Sequence, residues 1–345
     1  MSRRSSNRTT MTDVARVAQV SASTVSLYLR APDQVSEKLG KRIQSAIDSL
    51  RYVPNRMAGA LAAAQTPVVG VIVPSLVNSF FADTVDALQQ DLMREGYQIL
   101  IGHTNYDLAR EEELVRTFLA WSPSAIVLTG LDHSRATRQI LQASDIPVVE
   151  MWELGPQPID LLVGFSHADV GRMQTRHLID AGCRAIAFMG ARMELDARAA
   201  QRAQGYRDVL AAHSGQAPAE LVDAGAQTAS AAAAATADLL ARRPDLDGIV
   251  FSNDILALGA WREAQRRGVD VPEQIRMIGF GGLDFTSSSV AALSTVAPPR
   301  TEIGRAIVEM LLARIAGRPV AARRELPLSL IARASSAARA TAPLA

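Results

Sequence analysis

A single cysteine, Cys183, occurs in 345 residues. An internal disulfide is therefore excluded, and a lone thiol fits a reducing compartment such as the cytosol. No paired His or Asp pattern surrounds it, so packing accounts for Cys183 better than chemistry does. No apolar run approaches the roughly 18 residues a membrane helix requires, so no membrane span is expected. The basic start "MSRRSSNRTT" leads into no apolar stretch and does not read as a secretory signal. The five histidines show no metal-ligand spacing, no G-x-G-x-x-G follows a strand-like run, and no Walker A pattern occurs. "GFGG" is too short to act as a phosphate loop. These absences argue against an enzyme, so no catalytic residue, metal or cofactor is expected. Length alone suggests two or three units.

Net charge is also small, at +1, but it is unevenly spread. Residues 1–60 hold ten Lys/Arg against four Asp/Glu, a balance of +6, and the remainder holds 26 against 31, a balance of −5. A basic first segment on an acidic body is what a protein shows when one end touches a polyanion.

The stretch Thr12–Leu29, "TDVARVAQVSASTVSLYL", lacks both glycine and proline. Thr10 and Asp13 form a capping-box-like helix start. Val14, Val17 and Ala18 then give one apolar stripe at i, i+3 and i+4. Ser21 is a second N-cap candidate, and Val25, Tyr28 and Leu29 repeat the spacing. Only Gln19-Val20 separates the stripes, which leaves room for a corner, and Ala15 is small where two helices must cross. The pattern is that of a helix-turn-helix, whose second helix enters the DNA major groove. Its weak point is Gln19, which at a left-handed corner costs about 1 kcal/mol relative to glycine. A third helix is expected after Ser36, with Leu39, Ile43, Ala46, Ile47 and Leu50 on its buried face. "RYVPNRMAGALAAAQTP" follows as a linker with little to bury, marginal as an isolated helix.

From Val68 onward, apolar runs such as "VVGVIVPS", "YQILIGHT", "SAIVLTG" and "IPVVEMWE" alternate with helical segments. A second set includes "LLVGFSH", "RAIAFMG", "DGIVFSND" and "RMIGFGG". Alternation of this kind predicts parallel sheets built from βαβ units. Two sets predict two similar subdomains with a cleft at the carboxyl ends of their strands. The Ala-rich run "SAAAAATADLL" reads as a plain helix.

Together, "TMTDVARVAQVSASTVSLYL", "VSEKLGKRIQSAIDSLRYVPNRMAGAL" and "VVGVIVPSLVNSFFADTVDAL" resemble the lactose/galactose repressor (LacI/GalR) family, and the resemblance covers essentially the whole chain. It implies an all-α helix-turn-helix head on an α/β body like the periplasmic binding proteins. The head would occupy residues 1–53 and a hinge helix 54–66. The body would occupy 67–345, divided into an N-subdomain (67–165 and 295–320) and a C-subdomain (166–294 and 321–345). The chain would cross between subdomains near Phe165, Ser294 and Ala321. The expected partners are a pseudo-palindromic double-stranded DNA operator, a small effector, and further copies of the chain in a homodimer or tetramer.

The same resemblance implies residue roles. Thr10, Ser21, Thr24 and Ser26 would contact the DNA backbone or set the recognition helix on it, while Ala22, Ser23 and Leu27 occupy base-reading positions. Asn55, Arg56 and Ala58 belong to the hinge, and Leu61 stands where the family wedges a leucine into the minor groove. Leu27 departs from the arginine often found there, so the usual bidentate grip on guanine is missing. Effector contacts carried over by position are Ser75, Phe80, Phe81, Arg202, Asn253 and Asp254, the last with helix N-capping as a rival role. Gly281 stands where many relatives have a sugar-binding Asp, and Asp284 is the expected substitute. With "PVVEMWE" and "GARMELDARAAQRAQGY", this pattern is similar to the gluconate-operon repressors. It implies a sugar acid such as gluconate as effector, with Glu150 and Trp152 near the cleft. Two other readings are a sugar-binding protein, which leaves the basic head unexplained, and a regulator whose body only dimerises. Induction by ligand and co-repression both remain open.

Overall fold

The computed structural model describes residues 9–53, 66–76, 79–213, 217, 219–287 and 292–337. The chain divides into two compact units between Thr66 and Pro67. The hinge candidates Asn55, Arg56, Ala58 and Leu61 lie outside the described residues.

In the first unit, helices α1 (Met11–Ala18), α2 (Ala22–Arg30) and α3 (Glu37–Leu50) follow one another closely. Thr10 caps α1 in a full capping box: its hydroxyl accepts from the Asp13 N–H, and the Asp13 carboxylate accepts from the Thr10 N–H. Gln19 ends α1 at φ 54° and ψ 50°, so the left-handed corner expected of it is present. Ser21 caps α2 by accepting from the Thr24 N–H at 3.1 Å. Two expectations fail. Ser36 precedes α3 but its side chain makes no capping bond, and Val17 is 46% exposed because the core needs only the Val14, Ala15 and Ala18 side of α1. That core is closed by Val25, Ile43, Ala46 and Tyr52. Truncating the fully buried Ile43 to Ala is worth roughly 2–5 kcal/mol, a large share of what so small a core supplies.

The second unit holds two six-stranded sheets. The first is ordered β11-β5-β4-β3-β1-β2 and the second β12-β10-β9-β8-β6-β7. Strands of the first sheet are β1 (Thr66–Val73), β2 (Gln98–His103), β3 (Pro123–Thr129), β4 (Val148–Met151), β5 (Leu161–Gly164) and β11 (Arg323–Glu325). The second contains β6 (Ile186–Gly190), β7 (Glu220–Asp223), β8 (Gly248–Phe251), β9 (Arg276–Phe280), β10 (Ser294–Ala297) and β12 (Ser329–Ile331). The described pairings are parallel except β12 on β10, which is antiparallel. Central strands such as β3 are buried along their whole length, which is why they read as continuous apolar runs rather than alternating ones. Helices in chain order are α4 (Ala82–Arg94), α5 (Leu108–Leu119), α6 (Arg135–Gln142), α7 (His167–Asp180), α8 (Ala197–Ala212), α9 (Ala229–Arg242), α10 (Asp254–Arg266) and α11 (Arg300–Ile315). Among the described residues, no helix is long and apolar enough to cross a membrane.

The strand assignments place the chain crossings. The first follows β5, between Gly164 and His167. The second lies between Ala297 of β10 and Arg300 of α11, a few residues beyond Ser294, because β10 pairs with β9. The third lies between Glu325 and Ser329 rather than near Ala321, because β11 pairs with β5 before the chain leaves the first sheet. In each sheet the strand order reverses once, between β1 and β3 and between β6 and β8. Ligands of open α/β sheets bind outside the carboxyl ends of strands at such reversals.

Candidate effector cavity and DNA-facing surface

A cavity opens at those carboxyl ends. Its lining follows strand after strand: Phe80 and Phe81 beyond β1, Tyr106 beyond β2, Trp152 beyond β4, and His167 beyond β5. From the second sheet come Asp196, Arg198 and Arg202 beyond β6, Gln227 beyond β7, Ser252 and Asn253 beyond β8, and Phe280 ending β9. Both subdomains thus build one site.

Aromatic rings form its walls. Phe81 meets Trp152 edge-on at 4.9 Å, Trp152 meets Phe165 at 5.8 Å, and Phe80 stacks on Phe280 at 6.4 Å. Such faces suit the C–H surfaces of a carbon chain. The Trp152 indole N–H donates to the Thr84 hydroxyl at 3.1 Å, which fixes the ring.

Arg202 is the polar centre. Its Nη1 donates to His167 Nδ1 at 2.7 Å, and its guanidinium carbon lies 4.7 Å from the centre of the Phe280 ring. Its Nε is buried without a hydrogen-bond partner, and no carboxylate pairs with it among the described residues. Burial drives its pKa down to about 10, against the pull of Asp196. His167 Nε2 lies 2.7 Å from the Trp152 carbonyl, and burial with Arg202 beside it holds His167 well below the usual histidine range. A buried guanidinium without an ion-pair partner costs several kcal/mol, and its planar fork of donors matches a carboxylate chemically.

Asp196 and Arg198 sit opposite in charge, with Arg198 Nε 3.6 Å from Asp196 Oδ1. Asp196 also caps α8 at the Ala199 N–H and accepts from Gln227 Nε2 at 3.4 Å. Contacts between the two halves surround the cavity. Tyr106 Oη donates to Gln227 Oε1 at 3.2 Å, Gln201 Nε2 donates to Glu153 Oε1 at 2.5 Å, and Arg198 Nη1 donates to the Thr129 carbonyl at 3.3 Å.

Of the expected effector contacts, Phe80, Phe81, Trp152, Arg202 and Asn253 come together here. Ser75, half-buried after β1, is not in the lining. Glu150 points elsewhere: its Oε2 accepts from the Ile159 N–H at 2.5 Å and its Oε1 lies 3.3 Å from His133 Nε2. Asp254 is buried beneath the site, accepting from the Thr295 hydroxyl at 2.8 Å and the Leu283 N–H at 2.9 Å. It does not cap α10 either, since Asn253 takes that role by accepting from the Leu256 N–H. Asp284 is exposed in a 3₁₀ turn (Asp284–Ser287), because the positive φ values of Gly281 and Gly282 swing the chain away from the cavity. Tyr106, His167, Asp196, Arg198, Gln227, Ser252 and Phe280 went unforeseen. Each ends a strand, stands just past its end or lies at the start of the helix that follows, which is the signal that could have found them.

On the first unit, Ser21, Ala22 and Ser23 are exposed at the start of α2, with Thr24, Ser26 and Leu27 partly exposed behind them. The Ser21 hydroxyl lies 2.7 Å from those of both Ser23 and Thr24. Thr10 is exposed at the start of α1. This face carries hydroxyls and small groups at a helix N-terminus, where the helix dipole favours phosphate.

Comparison with known proteins follows the same division. Residues 10–55 match the model for bacterial regulatory proteins of the lacI family, and residues 175–336 match a periplasmic binding protein-like domain. The HTH-type transcriptional regulator GntR of Pseudomonas aeruginosa is 39% identical over 318 residues, 92% of each chain. IdnR of Escherichia coli, another HTH-type transcriptional regulator, is 33% identical over 90% of this chain and 92% of its own. A LacI-family regulator from Silicibacter pomeroyi superposes with a TM-score of 0.89 at 34% identity, covering 95% of this chain and 99% of that one. The lac repressor dimer bound to operator and the anti-inducer ONPF gives 0.83 at 25% identity, covering 96% and 100%. Head, body and motifs agree with these relatives along the chain, which belongs to the LacI family of bacterial transcriptional regulators.

Proposed function

We propose that this regulator is a homodimeric repressor that binds a pseudo-palindromic DNA operator and releases it when a six-carbon sugar acid, gluconate or a close relative, enters the cavity. One observation carries the effector assignment: the buried Arg202 guanidinium with an unpartnered Nε faces a cavity built from both subdomains. A carboxylate satisfies that fork of donors. The remaining lining offers Asp196 as acceptor and Gln227, Asn253 and Ser252 as mixed partners for hydroxyls, with aromatic faces for the carbon chain. The resemblance to gluconate-operon repressors supports the same class, and CelR, a structural neighbour solved as a complex with cellobiose, supports a sugar-like ligand.

Dimer and operator come from likeness to the lac repressor complex. Two heads would place Ser21, Thr24, Ser26 and Thr10 on phosphates and Ala22, Ser23 and Leu27 at base edges, with Asn55, Arg56, Ala58 and Leu61 in the central minor groove. Residues this small make few base hydrogen bonds, so thymine methyls and DNA deformability carry much of the specificity. Ligand changes DNA affinity only through different affinity for the two subdomain arrangements. A gel shift on the chain's own upstream region, titrated with gluconate and 2-ketogluconate, tests the reading. Loss of the complex is expected; tighter retention makes the ligand a co-repressor, and no response removes both as effectors.

A further inference from the structure

We infer that His167 is a positioning residue for the ligand. By engaging Nη1 of Arg202 it leaves the guanidinium edge formed by Nε and Nη2 to take the carboxylate of the effector side-on. The inference rests on reading the cavity as a sugar-acid site.

A guanidinium nitrogen can only donate, so His167 Nδ1, 2.7 Å from Arg202 Nη1, is the acceptor and carries no proton. The one N–H of the ring is then on Nε2, 2.7 Å from the Trp152 carbonyl. Burial, with the cations Arg202 and Arg198 nearby, holds the ring in this neutral form. The imidazole is thus used at both ends, and it ties Arg202 of α8 to the residue that follows β4. The helices leave the pair little freedom. A Cβ on Gly171 of α7 would run into the Arg202 carbonyl, and one on Gly205 of α8 would run into the Ala168 carbonyl, so the two backbones touch beside the contact. Phe280 backs the guanidinium, with its ring centre 4.7 Å from the central carbon.

Asp196 and Glu153 attract Arg202 through space, but neither forms an ion pair with it among the described residues. Nη1 is its one nitrogen with a hydrogen-bond partner among those residues, and Nε is buried without any. In a guanidinium, Nε–H and one N–H of Nη2 point the same way along one edge, matching the two oxygens of a carboxylate. That edge is the one His167 leaves open. A carboxylate on the outer edge, between Nη1 and Nη2, would compete with His167 and leave the buried Nε unsatisfied.

The test is gluconate titration of the full-length chain, followed by calorimetry and by the Arg202 Nε–H resonance of isotope-labelled protein, assigned by its loss in Arg202→Met. Side-on binding is expected to move that proton downfield. His167→Phe keeps a buried ring without an acceptor and is expected to bind gluconate about 10-fold or more weakly, as loss of a hydrogen bond to a charged group implies. His167→Gln carries the same pair of one acceptor and one donor, and is expected to stay within about 3-fold of wild type. A resonance that bound gluconate leaves unmoved, or equal affinities in the two variants, overturns the positioning role, while binding by wild type leaves the sugar-acid reading intact. Should His167→Phe fail to fold, the wild-type Nε–H resonance decides alone. Binding of neither gluconate nor 2-ketogluconate by wild type overturns that reading, and the inference falls with it.

Discussion

Arg202 Nη1 donates to His167 Nδ1 across 2.7 Å, so a cation of the second subdomain leans on a ring held at the first chain crossing. Among the described residues no carboxylate forms an ion pair with Arg202, and that makes Arg202 a liability for stability and an asset for binding. Arg202→Met should separate the two. The variant is expected to melt no lower than wild type without ligand, since it removes a buried unpaired charge. Gluconate affinity should fall about 100-fold, given roughly 1.5–3 kcal/mol for each hydrogen bond to a charged group. Calorimetry reads both, and operator binding without ligand is the control expected to stay unchanged.

Gly171 on α7 faces the backbone of Arg202 on α8, and a Cβ there would run into the Arg202 carbonyl. Gly171→Ala is therefore expected to cost about 1–3 kcal/mol of overpacking and to displace Arg202 from His167. Weakened gluconate binding together with a lower melting temperature is the expected pair; a variant that melts and binds as wild type would show that the two helices part freely.

Asp254 is buried and its pKa is pushed up to about 6, by burial first, against the hydrogen bonds from Leu283 and Thr295. Its folded pKa exceeds the unfolded one, so the protonated form is favoured in the fold. The contribution is full below about pH 4 and is lost as pH rises to about 6, a swing on the order of 3 kcal/mol. Asp254→Asn should flatten that part of the stability profile and melt at least as high as wild type near pH 7. An unaltered profile in urea titrations across pH 4–7 would rule out Asp254 as its source.

His133 gives a slope of the same sign in a more alkaline window. Burial opposes its charge, yet hydrogen bonds to Glu111 and Glu150 win and hold the pKa at about 9. Stability from this cluster is complete below about pH 6.5 and is lost as pH climbs through about 9. His133→Gln should abolish that alkaline loss while lowering stability at pH 7, as read by urea unfolding at pH 6, 7.5 and 9.

These groups show what was legible in the residues and what was not. The corner at Gln19 and the caps at Thr10 and Ser21 were readable because local spacing decides them. Phe80, Phe81 and Arg202 were readable through family position. Glu150 was misplaced because it and Trp152 look like same-face neighbours two apart. Trp152 leaves β4 at φ 66°, and that left-handed step breaks the alternation. Asp254 and Asp284 were misjudged because a polar residue beside a cleft can equally serve the scaffold beneath it. His167 and Asp196 were invisible because their partners lie far along the chain.

The left-handed Gln19 offers a test in the head. Gln19→Gly should relieve about 0.5–1 kcal/mol of backbone strain. Amide exchange in α1 and α2 would slow by a few-fold. Faster exchange would mean that glycine's freedom in the unfolded chain outweighs the relief.

The late return of the chain to the first sheet has a consequence for synthesis. Helix α11 packs on α4 and over β4 and β5, and β11 completes the sheet edge, yet both are translated after β6 to β10. A nascent chain carrying β1 to β5 thus leaves the ribosome with the buried faces of Val149, Met151, Leu161 and Val163 still uncovered. The second sheet has nearly all its strands before the first is sealed. Chaperone capture is expected to fall in that interval, and chains released early would expose one apolar sheet face rather than a finished half.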